Sequence, residues 1–470
     1  MFFGLIFIVL TPPGFNADEP NHFFRALQIA NGNLFGHPIS HDEFSDMVTR
    51  PPESFGGSVP RSAGQLFEMS HVFPIDGTMG GGSRTSQIDW KAMGGIPIRS
   101  EQMTVGMSNV EIYSPVTYIP TIIAYYVGRL LNLPILAVFY LSKFLNLAVA
   151  LALSWAAIKI APRGKWIILM LSILPTTIIQ FCSVSADPVT IGLCFLAFSM
   201  TLRVALQEAA VQLHQWLALM AVFVGVGLSK PVYILIAGMM VAIPLCNRRA
   251  RTLKSMASWL SVIVVGGAAA FWWQHVTSSV PPSFQTIEKV HQQYMFLANN
   301  PMLGVRTLLY TYLTNFGAPR NFYTTFIGSG VWEHVFLSTL FIYALCGALS
   351  LAPLIRDRDE SEWTGTRTVR CTFSIGLILL FVVAAAATGV GLYGIWTDPR
   401  LVTITGLQGR YFIPFAPLLL VALIPMRARL IEIQTRLRVL TLSISIASLM
   451  AMAWLTWKYL WRPPLPLYWS

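Results

Sequence analysis

Apolar residues in this chain gather into runs at roughly 134–158, 166–184, 187–206, 213–228, 231–246, 255–274, 333–355, 371–394, 411–426 and 437–461. A bilayer-spanning helix needs ~20 consecutive apolar residues, so these runs predict crossings. The opening run, Met1–Leu10, is shorter than that and lacks the basic start of a signal peptide. It is read as a first crossing whose start is trimmed, or else as a short interfacial anchor. Tyr113–Leu133 also has helical character, but Pro115, Pro120, Gly128 and Arg129 make it a poor spanning helix. It is read as in-plane or re-entrant backbone, which membranes tolerate when protein surrounds it. Eleven crossings follow, with twelve or thirteen as alternatives. The fold class is all-α, a polytopic transmembrane bundle.

Composition supports lipid as the solvent. The chain is 54% hydrophobic and 11% charged, with a mean hydropathy of +0.60, whereas water-soluble domains carry about 25% charged residues. The net charge of +11 does not indicate nucleic acid, because Lys and Arg fall in short runs between apolar segments rather than on a soluble face. All five cysteines lie within or at the ends of apolar segments, so no disulfide framework or zinc site is indicated.

Charge also sets orientation. Four basic clusters, Lys159/Arg163/Lys165, Arg248/Arg249/Arg251/Lys254, Arg356/Arg358/Arg367/Arg370 and Arg427/Arg429/Arg436/Arg438, are all assigned to the cytoplasmic face. Residues 12–111 carry eleven acidic and six basic side chains and are rich in Gly, Pro and Ser, as in SFGGSVP and GTMGGGSRTSQ. This stretch is placed outside as a loop. The resulting organisation is a first segment 1–12, an extracytoplasmic loop 13–112 and a bundle 113–461 with an outer loop 275–332. Within that outer loop Asn300 and Pro301 start a helix that either lies on the outer surface or packs against the loop.

Candidate chemistry gathers at the outer ends of these segments. In ADEPNHFFRA a helix beginning at Asp18 or Glu19 places His22 and Arg25 on the face of Asp18. Two carboxylates at a helix start are satisfied by the dipole alone, so a plain cap with surface charges is one reading. The other is a general base at the membrane surface, taking the proton of an attacking hydroxyl. Asp187 in SVSADP, Lys230 in GLSKP and Arg410 in GLQGRYFIP stand at helix edges on the same side. Taken singly, such charges snorkel. Taken together they supply carboxylates for a proton and cations for a phosphate, Arg by bidentate hydrogen bonds and Lys as a point charge. Lys143 lies about nine residues inside its segment, hence roughly 13 Å deep, and there needs a partner, most simply a structural one.

The elements PPGFNADEPNHFFRA, NVEIYSPVTYIP, SVSADP, GLSKPVY, FIGSGVW and GLQGRYFIP, in this order between about residues 12 and 426, resemble a bacterial multi-pass membrane family of unassigned function that is grouped with the GT-C glycosyltransferases. ADEPxHFxRA and QGRYFIP are the specific elements; the others are weak alone. The resemblance implies a GT-C-like bundle whose large first external loop carries short surface helices. It implies a catalytic acid near the end of the first crossing, Asp18 with Glu19 beside it, and a second external acid at Asp187. His22, Arg25, Lys230, Arg410 and Tyr411 are then substrate-binding candidates, of phosphate-binding character in the cations. The chain lacks the sizeable C-terminal soluble domain of some GT-C members, which argues against an oligosaccharyltransferase.

The activity so implied is inverting transfer of a sugar from a polyprenyl-phosphate donor to a hydroxyl of a glycan or lipid-linked acceptor, outside the bacterial inner membrane. Membrane lipids are its surroundings, and nucleic acid is not a partner. No cofactor is required; a divalent metal is compatible with the carboxylates but not demanded. The alternative is a transporter or flippase for a lipid-linked sugar or polysaccharide precursor, a class that favours repeated halves and midplane charges. Trp90, Phe322 and Tyr323 in the outer loops are candidates for stacking on sugar rings.

Overall fold

A computed structural model describes residues 1–40, 55–70, 88–282, 286–314, 322–331, 334–357, 360, 365–397, 401, 403–424 and 433–462. Arg358, Arg427, Arg429, Trp332 and the GTMGGGSRTSQ stretch lie outside these residues.

The apolar runs become largely helical where they are described, with Val335–Phe336 in a short strand, and the protein is an all-α membrane protein. Among the described residues five helices are long and apolar enough to cross a membrane: Ile135–Ile160, Asp187–Leu206, Leu253–Val276, Arg367–Trp396 and Gln434–Trp461. Three shorter apolar stretches, Leu213–Ser229, Pro231–Cys246 and Thr339–Leu354, accompany them. The remaining runs are broken, and proline stands at most of the breaks. The 166–184 run divides into Lys165–Ser172 and Pro175–Phe181. The 411–426 run becomes a 3₁₀ turn, Gly409–Phe412, followed by Ala416–Ala422 with Pro417 in its first turn. Proline lacks the N–H that would continue the preceding helix and is accommodated at the start of a new one.

Long-range hydrogen bonds fix which ends of these segments meet. At one end, Trp461 Nε1 donates to Leu10 O (2.9 Å), Trp273 Nε1 to Ile112 O (2.7 Å) and the Tyr233 hydroxyl to Tyr411 O (3.0 Å). At the other, Lys165 N donates to Asp357 Oδ2 (3.1 Å), Arg356 N to Gln434 Oε1 (2.7 Å) and Arg438 to Arg356 O. Arg163 pairs there with Glu360 at 3.5 Å. Asn247 ties the second basic cluster to Val204 O and Ala209 O, at the far end of the helix that begins at Asp187. The described members of all four clusters therefore share the end of the bundle remote from Asp187.

Residues 13–112 are not only a loop. After the first helix, α1 (Phe2–Leu10), comes the amphipathic α2 (Glu19–Ala30). An antiparallel sheet in the order β1 (His37–Pro38), β2 (Phe55–Pro60), β3 (Gln102–Gly106) follows. The glycines of SFGGSVP, which suggest a loop, are in β2 because it lies too close to its neighbours for side chains: a Cβ on Gly56 would stand 2.0 Å from Val105 O. Phe23 and Phe24 lock α2 edge-on against Phe67 and Phe139, with ring centroids 5.2–5.9 Å apart. Burying this aromatic face anchors α2 to the head of Ile135–Ile160.

Tyr113–Leu133 forms a 3₁₀ turn, Pro115–Tyr118, and a helix of 12 residues, Ile119–Leu130. At 1.5 Å per residue it is about 18 Å long, too short to cross, and it lies along α2, where the hydroxyls of Tyr126 and Tyr125 bond Ala30 O and Asn31 Oδ1. Counting Lys143 inward from Pro134 is misleading for the same reason. The first turns of Ile135–Ile160 belong to this outer layer, and Lys143 pairs with Glu19 (3.4 Å) and donates to Thr11 O (3.0 Å).

Candidate functional site

Asp18 caps α2 in the left-handed conformation, φ +58°. Asp tolerates that region better than most residues, and its side chain does not cap the helix. Its Oδ1 instead accepts a hydrogen bond from Asn109 Nδ2 at 3.4 Å, and Asn21 Nδ2 holds Asn109 Oδ1 at 2.8 Å. The helical period counted from Asp18 therefore does not describe where the Asp18 carboxylate points. One turn on, His22 stacks on Tyr113 (5.6 Å), and its Nδ1 lies 2.7 Å from the Tyr118 hydroxyl. Burial, reinforced by Lys230, holds the imidazole down to about 3, so it is neutral at physiological pH.

Asp187 is the first residue of its helix, and its N–H donates to Ser185 Oγ at 3.3 Å. Lys230 stands at the break between Leu213–Ser229 and the 3₁₀ helix Pro231–Val241, where it forms a hydrogen-bonded ion pair with Asp187. Its Nζ lies 5.3 Å from the Tyr113 ring centre and 5.9 Å from that of Tyr411, positions that favour the cation. Arg410 comes from the Gly409–Phe412 turn, its guanidinium 5.6 Å from the Tyr411 ring centre. The turn is seated on an apolar cluster of Tyr393, Ile404, Leu407 and Phe412 and hung from Thr325 Oγ1, which accepts the Gly409 N–H at 2.7 Å.

Four separate segments thus bring Asp18, His22, Asp187, Lys230, Arg410 and Tyr411 to one cavity of about 420 Å³, a size suited to a small ligand. Its lining joins these polar groups to the apolar side chains of Val232, Val280, Pro281, Leu392 and Ile395. Asp187 is compensated by Lys230. The Asp18 carboxyl is pushed above the ordinary carboxylate value by burial, with Arg410 and then Lys230 opposing the rise. Asp18 is accordingly the carboxylate available to take a proton.

Two candidates stand apart. Glu19 is fully buried against Lys143 and does not line the cavity. Arg25 does not line the cavity; it pairs with Glu111 at 2.7 Å and donates to Gln28 Oε1 at 2.7 Å. Of the proposed stacking aromatics, Trp90 stacks on Trp461 and Phe322 packs on Phe412; none of the three, Tyr323 included, lines the cavity. The aromatics that do are Tyr113, Tyr233, Tyr294, Trp396 and Tyr411. Asn109, Tyr113 and Tyr118 have no role in the sequence reading, although all three lie in NVEIYSPVTYIP. Among the described residues no group of three or more His, Cys, Asp and Glu side chains is placed to hold a metal ion.

The family described as Predicted membrane protein (DUF2142) matches residues 1–419. No curated protein matches the chain, and no solved structure does.

Proposed function

The chain belongs to this family of membrane proteins, and from that premise we propose that it is a GT-C-type glycosyltransferase. The donor is a polyprenyl-phosphate sugar, the acceptor a hydroxyl of a glycan or lipid-linked glycan, and the site faces outward from a bacterial inner membrane. The observation that carries this reading is the joining, in one cavity, of a carboxylate that forms no ion pair among the described residues, two cations and apolar side chains. A lipid phosphate sugar needs that combination: an apolar surface for its chain, cations for its phosphate and a base beside its anomeric carbon.

In this mechanism the acceptor hydroxyl gives its proton to Asp18 as its oxygen attacks the anomeric carbon. The bond from that carbon to the phosphate oxygen breaks with its electron pair, and polyprenyl phosphate departs. A single displacement inverts the anomeric configuration. Charge growing on the phosphate falls to Arg410 and Lys230, help of ~2.7–4 kcal/mol where one such donor is lost in other enzymes. Neutral His22 and the Tyr411 hydroxyl are placed to orient the sugar phosphate. Outward orientation is supported by the basic clusters at the opposite end of the bundle.

The flippase reading loses its main support, since Lys143 is engaged by Glu19. Purified protein supplied with a panel of radiolabelled polyprenyl-phosphate sugars and oligosaccharide acceptors tests the proposal. Label appearing in acceptor supports it; label carried across vesicles without transfer supports the flippase instead.

A further inference from the structure

Among the buried charged groups that the mechanism does not use is the carboxylate of Glu19, next in sequence to Asp18. Its environment is unusually complete. Glu19 Oε1 accepts from Asn16 Nδ2 (3.0 Å) and from the N–H of Val184 (3.1 Å), and lies 3.4 Å from Lys143 Nζ. Glu19 Oε2 accepts from the N–H groups of Gly14 (3.2 Å) and Asn16 (3.4 Å). Lys143 Nζ in turn donates to Thr11 O at 3.0 Å, and Asn146, one turn along the same helix, donates through Nδ2 to Ser183 O at 3.0 Å. Side chains of Glu19 and Lys143 are both fully buried. The bonds reach three places that local sequence does not connect: the 11–16 stretch leading to Asp18, the head of Ile135–Ile160, and Ser183–Val184 just before Asp187.

We propose that Glu19 and Lys143 form a positioning clasp that sets the placement of Asp18 against Asp187 and Lys230, rather than acting on substrate. Glu19 is covalently next to Asp18, and Val184 is three residues from Asp187. A bond between Glu19 and the Val184 N–H therefore fixes the two acids that line the cavity relative to one another. The two segments meeting here have no other charged tie at this point among the described residues. The clasp explains why two adjacent carboxylates differ in duty: the first faces the cavity, and the second holds the frame that aims it. This inference rests on the proposed reading of the Asp18 cavity, and it is tested through a property of Asp18 that does not require turnover.

Asp18 faces Arg410 and Tyr411 from one segment, Lys230 from a second, Asp187 from a third, Tyr113 and Asn109 from a fourth, and His22 on its own helix. Burial is the largest influence on its proton affinity. Loosening the clasp admits water and lowers the midpoint of Asp18 toward the ordinary carboxylate value. The experiment is an infrared titration of the carboxyl band, as wild type minus Asp18→Asn, repeated in Glu19→Gln and Lys143→Gln backgrounds. In purified, monodisperse protein the midpoint is expected to fall in both backgrounds. Where either variant does not fold, Asn16→Ala removes a single arm of the clasp and is expected to lower the midpoint by a smaller step. Transfer kinetics on the same proteins should show a tenfold or greater loss in kcat with donor KM changed less than twofold. A midpoint that stays put in folded variants overturns the clasp, because a purely structural role lowers the folded fraction without moving it. Absence of transfer by the wild type overturns the transferase reading alone and leaves the titration result to stand or fall by itself.

Discussion

At the residue scale, the contrast between Asp18 and Arg25 shows what sequence spacing can and cannot supply. Helical period places Asp18, His22 and Arg25 on one face, yet Asp18 stands at the helix start in a left-handed conformation while Arg25 is buried against Glu111. No local pattern encodes Glu111, because the two residues lie 86 positions apart in sequence and meet only when the chain folds back. Removing one partner of a buried ion pair strands a charge and costs ~3–5 kcal/mol. Arg25→Gln is therefore expected to reduce thermal stability sharply while leaving donor KM unchanged in whatever folded protein remains. A raised donor KM with normal melting would instead return Arg25 to the binding site. For Asp18 the expected signature is in pH. A base works only when deprotonated, and burial holds its folded-state proton affinity above the ordinary value of 3.8. The rate of transfer should accordingly rise with pH through an acid limb whose midpoint lies above 3.8; a limb at or below that value, or a flat profile, contradicts the assignment.

At the scale of elements, the hydrophobic runs give the helices but not their interruptions, and the interruptions hold both cations of the candidate site. Lys230 and Arg410 both occupy breaks where a 3₁₀ turn replaces regular helix. The signals for those breaks, GLSKP and QGRYFIP, are visible in sequence as glycine and proline beside a charge. The small sheet was not legible, since β2 is a glycine-containing strand without alternating patterning, held by packing against β3 and α2. Asn109 was not legible either, because its bond to Asp18 spans 91 positions. Gly409 offers a test of the turn itself: a Cβ there would stand 2.0 Å from Phe322 O and 2.5 Å from Phe326 N. Backbone cannot yield cheaply, so Gly409→Ala should displace Arg410 and cut kcat/KM by 10-fold or more, approaching the ~10²–10³-fold expected for Arg410→Gln. Wild-type kinetics in Gly409→Ala would show that the turn does not aim Arg410.

For the whole molecule, the proposed transfer depends on sidedness and on one carboxylate. With the exposed Cys371 replaced by serine, a membrane-impermeant maleimide applied to intact cells should label Arg99→Cys in the outer layer and spare Arg436→Cys at the basic end. The reverse pattern would invert the protein in the membrane and remove the outward-facing site. The most direct measurement is sugar transfer from a polyprenyl-phosphate donor by purified wild type and Asp18→Asn at equal folded concentration. A positioned general base contributes ~10²–10⁴-fold, so the account predicts a loss of that size in kcat with melting temperature and donor binding retained. Transfer at the wild-type rate by folded Asp18→Asn would contradict it.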